Sequence, residues 1–125
     1  MTLELEIVGD APLAPGEVER LAELVLTSAG VDDGHLAIEF VGEERIRELN
    51  REHRALDEPT DVLSFPIDGP GASPGPRELG DVVICPPHTT DLREAIVHGV
   101  LHLLGMDHET DDGEMLARQR ELLGS

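Results

Sequence analysis

The hydrophobic pattern of the first 54 residues alternates between two periods, and this constrains the fold more than any other feature. Apolar residues alternate with glutamates from Leu3 to Ile7, which is the pattern of a half-buried strand. From Val18 to Val25 they recur at helical spacing, and Gly30 offers a C-terminal stop. A strand over residues 36–40 and a helix from Glu43 to about Arg54 repeat the pattern. The sequence therefore predicts two successive strand–helix units.

Two further strands are predicted on either side of a loop rich in glycine and proline. The first covers Val62–Phe65 and the second covers Gly80–Ile84. The segment Ile67–Leu79 between them contains the flexible stretch Gly-Pro-Gly-Ala-Ser-Pro-Gly-Pro. We expect the two strands to face each other across this loop.

Two helices complete the predicted elements. Asp91 and Glu94 have the spacing of a capping box before a helix that covers Leu92–Leu104 and stops at Gly105. An amphipathic helix follows over about residues 112–123. Together these elements predict an α+β fold in one domain, residues 1–125, with a small mixed four-stranded sheet packed with about four helices.

The charge of the chain disfavours several classes of function. Its 125 residues carry 27 acidic side chains against nine arginines and no lysine, for a formal charge of −18. Such a chain repels polyanions on average, and Phe40 and Phe65 are its only large aromatic residues, so broad non-specific nucleic-acid binding is disfavoured.

A single cysteine excludes a disulfide scaffold and a multi-cysteine zinc module. With no apolar run of about 18–20 residues and no basic N-terminal segment, we expect a soluble cytoplasmic protein.

Three histidines form the strongest chemical pattern in the chain. His98 and His102 are four residues apart, so on a helix they differ by about 40° around the axis and project from one face. Gly105 permits a turn that brings His108 round as a third nitrogen ligand. Three protein ligands leave a fourth position of a tetrahedral zinc open for water, which is typical of a catalytic site. The sequence predicts a zinc site on this helix and the turn that follows it.

Other interpretations of the histidines stay open. They could be ordinary side chains of a partly buried helix, or they could hold a closed structural zinc with a fourth ligand from Asp107, Glu109 or Cys85. We interpret Asp107 instead as a carboxylate that orients a ligating histidine, and we assign no general base. The remaining histidines have no partner at ligand spacing and are predicted not to bind the metal: His35, His53 and His88.

Gly99 stands where zinc peptidases with this histidine spacing carry their catalytic glutamate. A peptidase mechanism therefore lacks its base. Glycine inside a helix costs about 1 kcal/mol relative to alanine. Its presence indicates either space required beside the metal or a close packing contact with another helix.

Three arginines share one face of the second predicted helix: Arg47, Arg51 and Arg54. Arg47 and Arg51 are best explained as a solvated face paired with Glu43, Glu48 and their neighbours. Arg54 lies at the end of the helix, and its guanidinium could bind a phosphodiester and stabilise its transition state.

The order of these motifs resembles the YbeY family. The motifs are Leu49-Asn50 with Arg54, Pro59-Thr60-Asp61-Val62-Leu63-Ser64-Phe65-Pro66, Leu79-Gly80-Asp81-Val82-Val83-Ile84, and the segment from His98 to His108. The resemblance implies a zinc-dependent endoribonuclease that acts on single-stranded RNA, with a role in 16S rRNA 3′-end maturation and ribosome quality control. It implies one zinc ion held by His98, His102 and His108, and a catalytic role for Arg54. It also implies RNA as the partner, reached directly or through the ribosome or a ribosomal protein, with no DNA and no membrane.

The chain departs from the family pattern at several points. Only Cys85–Val97 separates Ile84 from His98, where the family carries a longer segment with an extra helix. His53 stands where the family often has tyrosine. The alternatives to the endoribonuclease are a non-catalytic ribosome-associated factor with a structural zinc, and a zinc hydrolase of another substrate class.

Overall fold

The protein is described by a computed structural model that covers residues 3–10, 12–31, 34–67, 78–104 and 114–124, with the backbone alone for 114–116. One short 3-10 turn, Pro86–His88, lies between the last strand and the third helix. The other elements, in chain order, are β1 (Leu3–Val8), α1 (Pro15–Ser28), β2 (Gly34–Phe40), α2 (Glu43–Arg54), β3 (Val62–Pro66), β4 (Glu78–Ile84), α3 (Leu92–Leu103) and α4 (Glu114–Leu123).

The four strands form one mixed sheet in the order β1-β2-β4-β3. Three strands run parallel to one another, namely β1, β2 and β4, and such pairing requires crossover connections. β3 runs antiparallel to β4. The register of the antiparallel pair places Val62 opposite Ile84 and Pro66 opposite Gly80. The predicted pairing across the loop and the predicted α+β fold with a mixed four-stranded sheet and four helices are confirmed.

Successive residues of β4 enter two different apolar clusters, because side chains alternate across a strand. Val82 and Ile84 belong to the larger cluster, to which α1 and α3 contribute their buried faces. Val83 and Cys85 belong to a smaller cluster that includes Ile46 and Leu49 of α2 and Leu63 of β3. The sheet therefore separates α2 on one face from α1 and α3 on the other.

An irregularity marks the entrance to β4. The pairing between β2 and β4 shifts by one residue between His35 and Leu36, whose partners are Glu78 and Gly80. Gly80 has a φ of +134° there, and a Cβ at this position would collide with the carbonyl oxygen of Phe65. Glycine is thus required where β3 and β4 approach each other.

The third helix begins as the sequence predicts. The carboxylate of Asp91 accepts hydrogen bonds from the backbone N–H groups of Arg93 and Glu94, which caps α3. α3 ends at Leu103, whereas its predicted stop, Gly105, lies outside the described residues. Within the part of the chain that is described, every helix is too short or too polar to cross a bilayer. That residues 1–125 form one domain stays a prediction.

Candidate metal centre and the cleft beside it

His98 and His102 lie side by side on α3. Their Nε2 atoms are 3.1 Å apart, and their rings meet edge to face with centroids 4.7 Å apart at an angle of 75°. Residues four apart lie one above the other on a helix, so this contact follows directly from the spacing in the sequence. The prediction that both imidazoles share one face is confirmed by this geometry.

Gln119 of α4 holds the other side of the His98 ring. His98 Nδ1 lies 2.8 Å from Gln119 Oε1, at hydrogen-bond distance. The side chain of Gln119 is buried, with 5% of the residue exposed. Gln119 is not among the site residues that the sequence predicts, although it stands three residues before Leu122, at a helical position where an apolar residue is expected.

The histidine pair fits a zinc ion. Two nitrogens bound to a tetrahedral zinc at about 2.0–2.1 Å stand about 3.3 Å apart, close to the separation found here. The third predicted ligand, His108, and the orienting carboxylate of Asp107 lie outside the described residues. Among the residues that are described, no group of three histidine, cysteine or acidic side chains is arranged to hold a metal ion. The three-histidine site therefore stays a prediction.

A cavity of about 240 Å³ opens beside His98, where β3 and α3 begin. Three carboxylates border it, from Asp61, Asp91 and Glu94, and no arginine lines it among the described residues. Glu94 precedes His98 by four residues, so helical spacing could have placed it here. The remaining lining residues are Val62, His88, Thr89, Thr90, Ala95, His98 and Gln119. The cleft therefore presents carboxylate oxygens, which accept hydrogen bonds, beside His98.

His88 enters the cleft from the 3-10 turn after β4. Its Nε2 atom lies 3.2 Å from Oε1 of Glu43, at the start of α2. His88 has no partner at ligand spacing in the sequence, because its neighbours in the cleft lie on distant segments of the chain. No local spacing could have identified this placement, and its assignment as a residue that does not bind the metal stays a prediction.

Arg54 lies on α2, across the sheet from the histidine pair. It is exposed at the end of the helix and is not among the residues that line the cavity. The structure thus does not bring Arg54 into the cleft, and its catalytic role stays a prediction. β3, however, is an edge strand of the sheet. One of its faces packs toward α2 and the other packs toward α3.

Arg47 has a different partner from the one expected. Its guanidinium donates to both carboxylate oxygens of Asp57, at 2.9 and 3.2 Å, rather than to a glutamate of its own helix. This hydrogen bonding raises the pKa of Arg47 and lowers the pKa of Asp57. Arg47 is therefore paired with a carboxylate of the segment after α2 and is not free to bind a phosphate.

Cys85 does not fit the closed zinc site. It is fully buried in the apolar cluster beneath α2, and burial raises the pKa of its thiol. A metal-binding cysteine requires the thiolate, which this apolar surrounding disfavours.

Gly99 is explained by close packing of α3 on the sheet. A Cβ at this position would lie 2.5 Å from Cγ1 of Val82 and 3.2 Å from Cγ2 of Val62. The hydroxyl of Ser64 donates to the Gly99 carbonyl oxygen at 2.8 Å. Of the two interpretations from the sequence, packing is therefore supported, but the neighbour is the sheet and not a helix.

Comparison with known proteins gives a consistent family. The family model described as "Endoribonuclease YbeY" matches residues 11–125. A Bacillus cytotoxicus protein named "Endoribonuclease YbeY" is 39% identical over 130 aligned residues, covering 86% of this chain and 83% of that protein. A Geobacillus thermodenitrificans protein of the same name is 35% identical over 149 aligned residues, covering 98% of this chain and 96% of that protein.

The fold also matches a solved structure. The solution structure of a Thermotoga maritima protein aligns with a TM-score of 0.58 and 28% identity, over 95% of this chain and 86% of that one.

The 149 aligned positions with the Geobacillus relative exceed the 125 residues of this chain, so that relative has residues that this chain lacks. The fold, the order of motifs and these alignments agree, and the chain belongs to the endoribonuclease YbeY family.

Proposed function

We propose that this chain is a metal-dependent endoribonuclease that cleaves single-stranded RNA and acts in 16S rRNA 3′-end maturation and ribosome quality control. Family membership supports the endoribonuclease activity. The observation that carries the metal dependence is the pair of Nε2 atoms from His98 and His102, 3.1 Å apart beside an open cleft. Zinc is the proposed metal, one ion per chain, because nitrogen ligands at this spacing suit it.

The residues divide into three roles in this proposal. His98, His102 and His108 hold the metal, and Asp107 orients one of these histidines. A zinc ion there supplies a Lewis acid that polarises a phosphoryl oxygen and lowers the pKa of a water molecule to about 7. Arg54 neutralises charge that develops on the phosphate.

The placement of Arg54 restricts how RNA can bind. Because α2 and α3 lie on opposite faces of the sheet, a substrate that reaches both Arg54 and His98 has to pass around the edge strand β3. A single strand can follow such a bent path, whereas a stiff duplex cannot without a deformation cost. The proposal thus favours single-stranded RNA over double-stranded nucleic acid, DNA included.

The acidity of the chain bears on its partners. At −18, the surface gives little electrostatic attraction to RNA. We propose that the chain gains its substrate in the cytoplasm on the ribosome, through contacts with ribosomal RNA or a ribosomal protein.

Cleavage of RNA by nuclease-free protein tests the activity. We expect zinc-loaded protein to cleave a single-stranded RNA, and His102→Gln to lose at least about 100-fold in rate. His35→Gln is the matched control, because His35 lies in β2 between Glu6 and Glu78, outside the cleft. Equal rates of RNA cleavage by the wild type and His102→Gln would contradict the proposed metal-dependent activity.

A second pair of variants tests the role of Arg54. We expect Arg54→Ala to keep its zinc content, by elemental analysis, and to lose RNA cleavage. Arg45→Ala, on the same helix and paired with Glu48, should keep both. Loss of zinc in Arg54→Ala would contradict the separate roles of arginine and histidines.

Chelation separates the endoribonuclease from its alternatives. A non-catalytic factor with structural zinc would lose much thermal stability on chelation and cleave no RNA in either state. A zinc hydrolase of another class would cleave a peptide library or small esters and leave RNA intact.

A further inference from the structure

The most unusual side chain of α4 is its buried amide. Gln119 is 5% exposed, and Leu122, one turn later on the same helix, is buried to the same extent. An apolar residue would pack at this position without cost, whereas burial of an amide that has no hydrogen-bond partner is unfavourable. The hydrogen bond from His98 Nδ1 to Gln119 Oε1, at 2.8 Å, supplies that partner.

We infer that Gln119 is a positioning residue for His98: its Oε1 atom accepts a hydrogen bond from Nδ1–H and so fixes the tautomer whose Nε2 atom carries the lone pair toward His102. A neutral imidazole has one N–H and one lone pair, so a proton held on Nδ1 leaves Nε2 as the ligand atom. The inference rests on the proposed metal site and adds a residue to it from a different helix.

The chemistry of the amide suits this role. A carbonyl oxygen accepts a hydrogen bond from a neutral ring without adding a buried charge, which a carboxylate would do. Metal binding requires the neutral ring, and partners of the outer nitrogen orient ligating histidines in metal sites generally. Gln119 meets both needs from a side chain that packing already immobilises.

The contact also joins the two ends of one segment. Gln119 and His98 are 21 residues apart, and the predicted third ligand, His108, lies between them. Docking of α4 on α3 therefore fixes the ring of the first ligand at a helix that follows the predicted third ligand in the chain. We expect the docking of α4 and the affinity for zinc to depend on each other.

The tautomer can be measured without any metal. In chelator-treated, ¹⁵N-histidine-labelled protein at about pH 8, we expect the ring nitrogens of His98 to report the Nδ1–H form in the wild type and in Gln119→Glu. Gln119→Met, which keeps the length of the side chain and removes the oxygen, should shift His98 toward the Nε2–H form. An Nε2–H tautomer in the wild type, where the amide would donate instead, overturns the inference, and this measurement needs no variant.

Zinc affinity gives the second readout, by competition with a chelator. Gln119→Met should bind zinc about 10–100-fold more weakly than the wild type, and Gln119→Glu should recover most of the loss. Leu122→Ala is the control for α4 packing, because it removes buried apolar contact and leaves the amide of Gln119 in place. It should lower thermal stability and weaken zinc binding less than Gln119→Met does.

The outcomes separate the two proposals. Unchanged zinc affinity in Gln119→Met, or a loss no greater than that of Leu122→Ala, overturns the positioning role and leaves the proposed function intact. Absence of zinc binding by the wild type would contradict the proposed metal site, and the tautomer measurement would still decide whether Gln119 accepts a hydrogen bond from Nδ1–H of His98.

Discussion

Gly99 shows how a single missing side chain sets the position of the histidine helix. A Cβ at this position would meet Val82 and Val62 on the sheet, and the Gly99 carbonyl oxygen accepts a hydrogen bond from the hydroxyl of Ser64. The backbone of α3 thus lies directly on β3 and β4 at the residue that follows His98. The distance between the helix and the sheet, and so the position of the first predicted ligand, depends on this contact.

We predict that Gly99→Ala destabilises the protein. Alanine gains about 1 kcal/mol of helix propensity, but overpacking against the sheet costs about 1–3 kcal/mol and also displaces α3. The expected result is a net loss in the free energy of unfolding, measured by urea denaturation.

Gly16→Ala provides the matched control for that experiment. Gly16 also lies in a helix, and its Cβ would meet nothing within 4 Å. We expect its stability to be unchanged or raised by up to about 1 kcal/mol. Stability in Gly99→Ala equal to that of Gly16→Ala would show that α3 does not pack as closely as described.

His35 links three neighbouring strands through its ring. Nδ1 lies 2.7 Å from Glu78 Oε1 on β4, and Nε2 lies 3.6 Å from Glu6 Oε2 on β1. The hydrogen bond to Glu78 is the main cause that raises the pKa of His35, with burial acting in the opposite direction and the charges of Glu78, Glu6 and Glu4 adding to the rise. The protonated ring is therefore favoured in the folded sheet.

We predict that Glu78→Gln lowers the pKa of His35, as measured by NMR titration. Because the folded pKa is raised, the stabilisation is fully present below the unfolded value of about 6.5 and is lost as the pH rises through the folded pKa. The difference in unfolding free energy between the wild type and Glu78→Gln should thus be larger at about pH 6 than at about pH 8.5. A difference that stays constant with pH would contradict this coupling.

At the scale of elements, α3 depends on its N-terminal cap. Asp91 accepts hydrogen bonds from two backbone N–H groups of the first turn, at 3.0 and 3.3 Å. Those groups would otherwise have no partner within the helix. The cap therefore stabilises the end of α3 that borders the cleft.

We predict that Asp91→Ala lowers the free energy of unfolding by about 0.5–2 kcal/mol, measured by thermal or urea denaturation. Asp91→Ser keeps a side-chain oxygen for the cap and should lose only a small part of that stability. If both variants were equally destabilised, a role of the negative charge, and not of the cap, would be indicated.

The bounds of the helices could be predicted from the sequence, whereas the contacts of their side chains with other segments could not. Spacing gave α2 its observed bounds, Glu43–Arg54, and placed the start of α3 after Asp91. Spacing did not reveal that Arg47 binds Asp57, ten residues away, because that contact depends on how the chain turns after α2. Local periodicity determines an element, whereas its contacts depend on the path of the chain between elements.

For the whole molecule, the dominant property is the charge of −18. Repulsion among like charges opposes the compact state, and dissolved salt screens it. The charge therefore makes the stability of the fold dependent on ionic strength.

We predict that the melting temperature rises with sodium chloride between about 0.05 and 1 M, as the Debye length shortens from more than 10 Å to about 3 Å. A gain of about 1 kcal/mol corresponds to a rise of about 4 °C for a domain of 125 residues. Choline chloride at the same ionic strength should give a similar rise, which excludes specific sodium binding. A melting temperature that falls with salt would contradict the role of self-repulsion.

The sequence by itself determined the elements of this protein, the α+β class and the side-by-side placement of His98 and His102, because these depend on the periods of helices and strands. Only the tertiary structure decided that Gln119 holds the His98 ring, that His88 enters the cleft, and that Arg54 lies across the sheet. These placements depend on strand order and on which face each helix covers. Burial of apolar surface between distant segments sets both, and no local spacing encodes it.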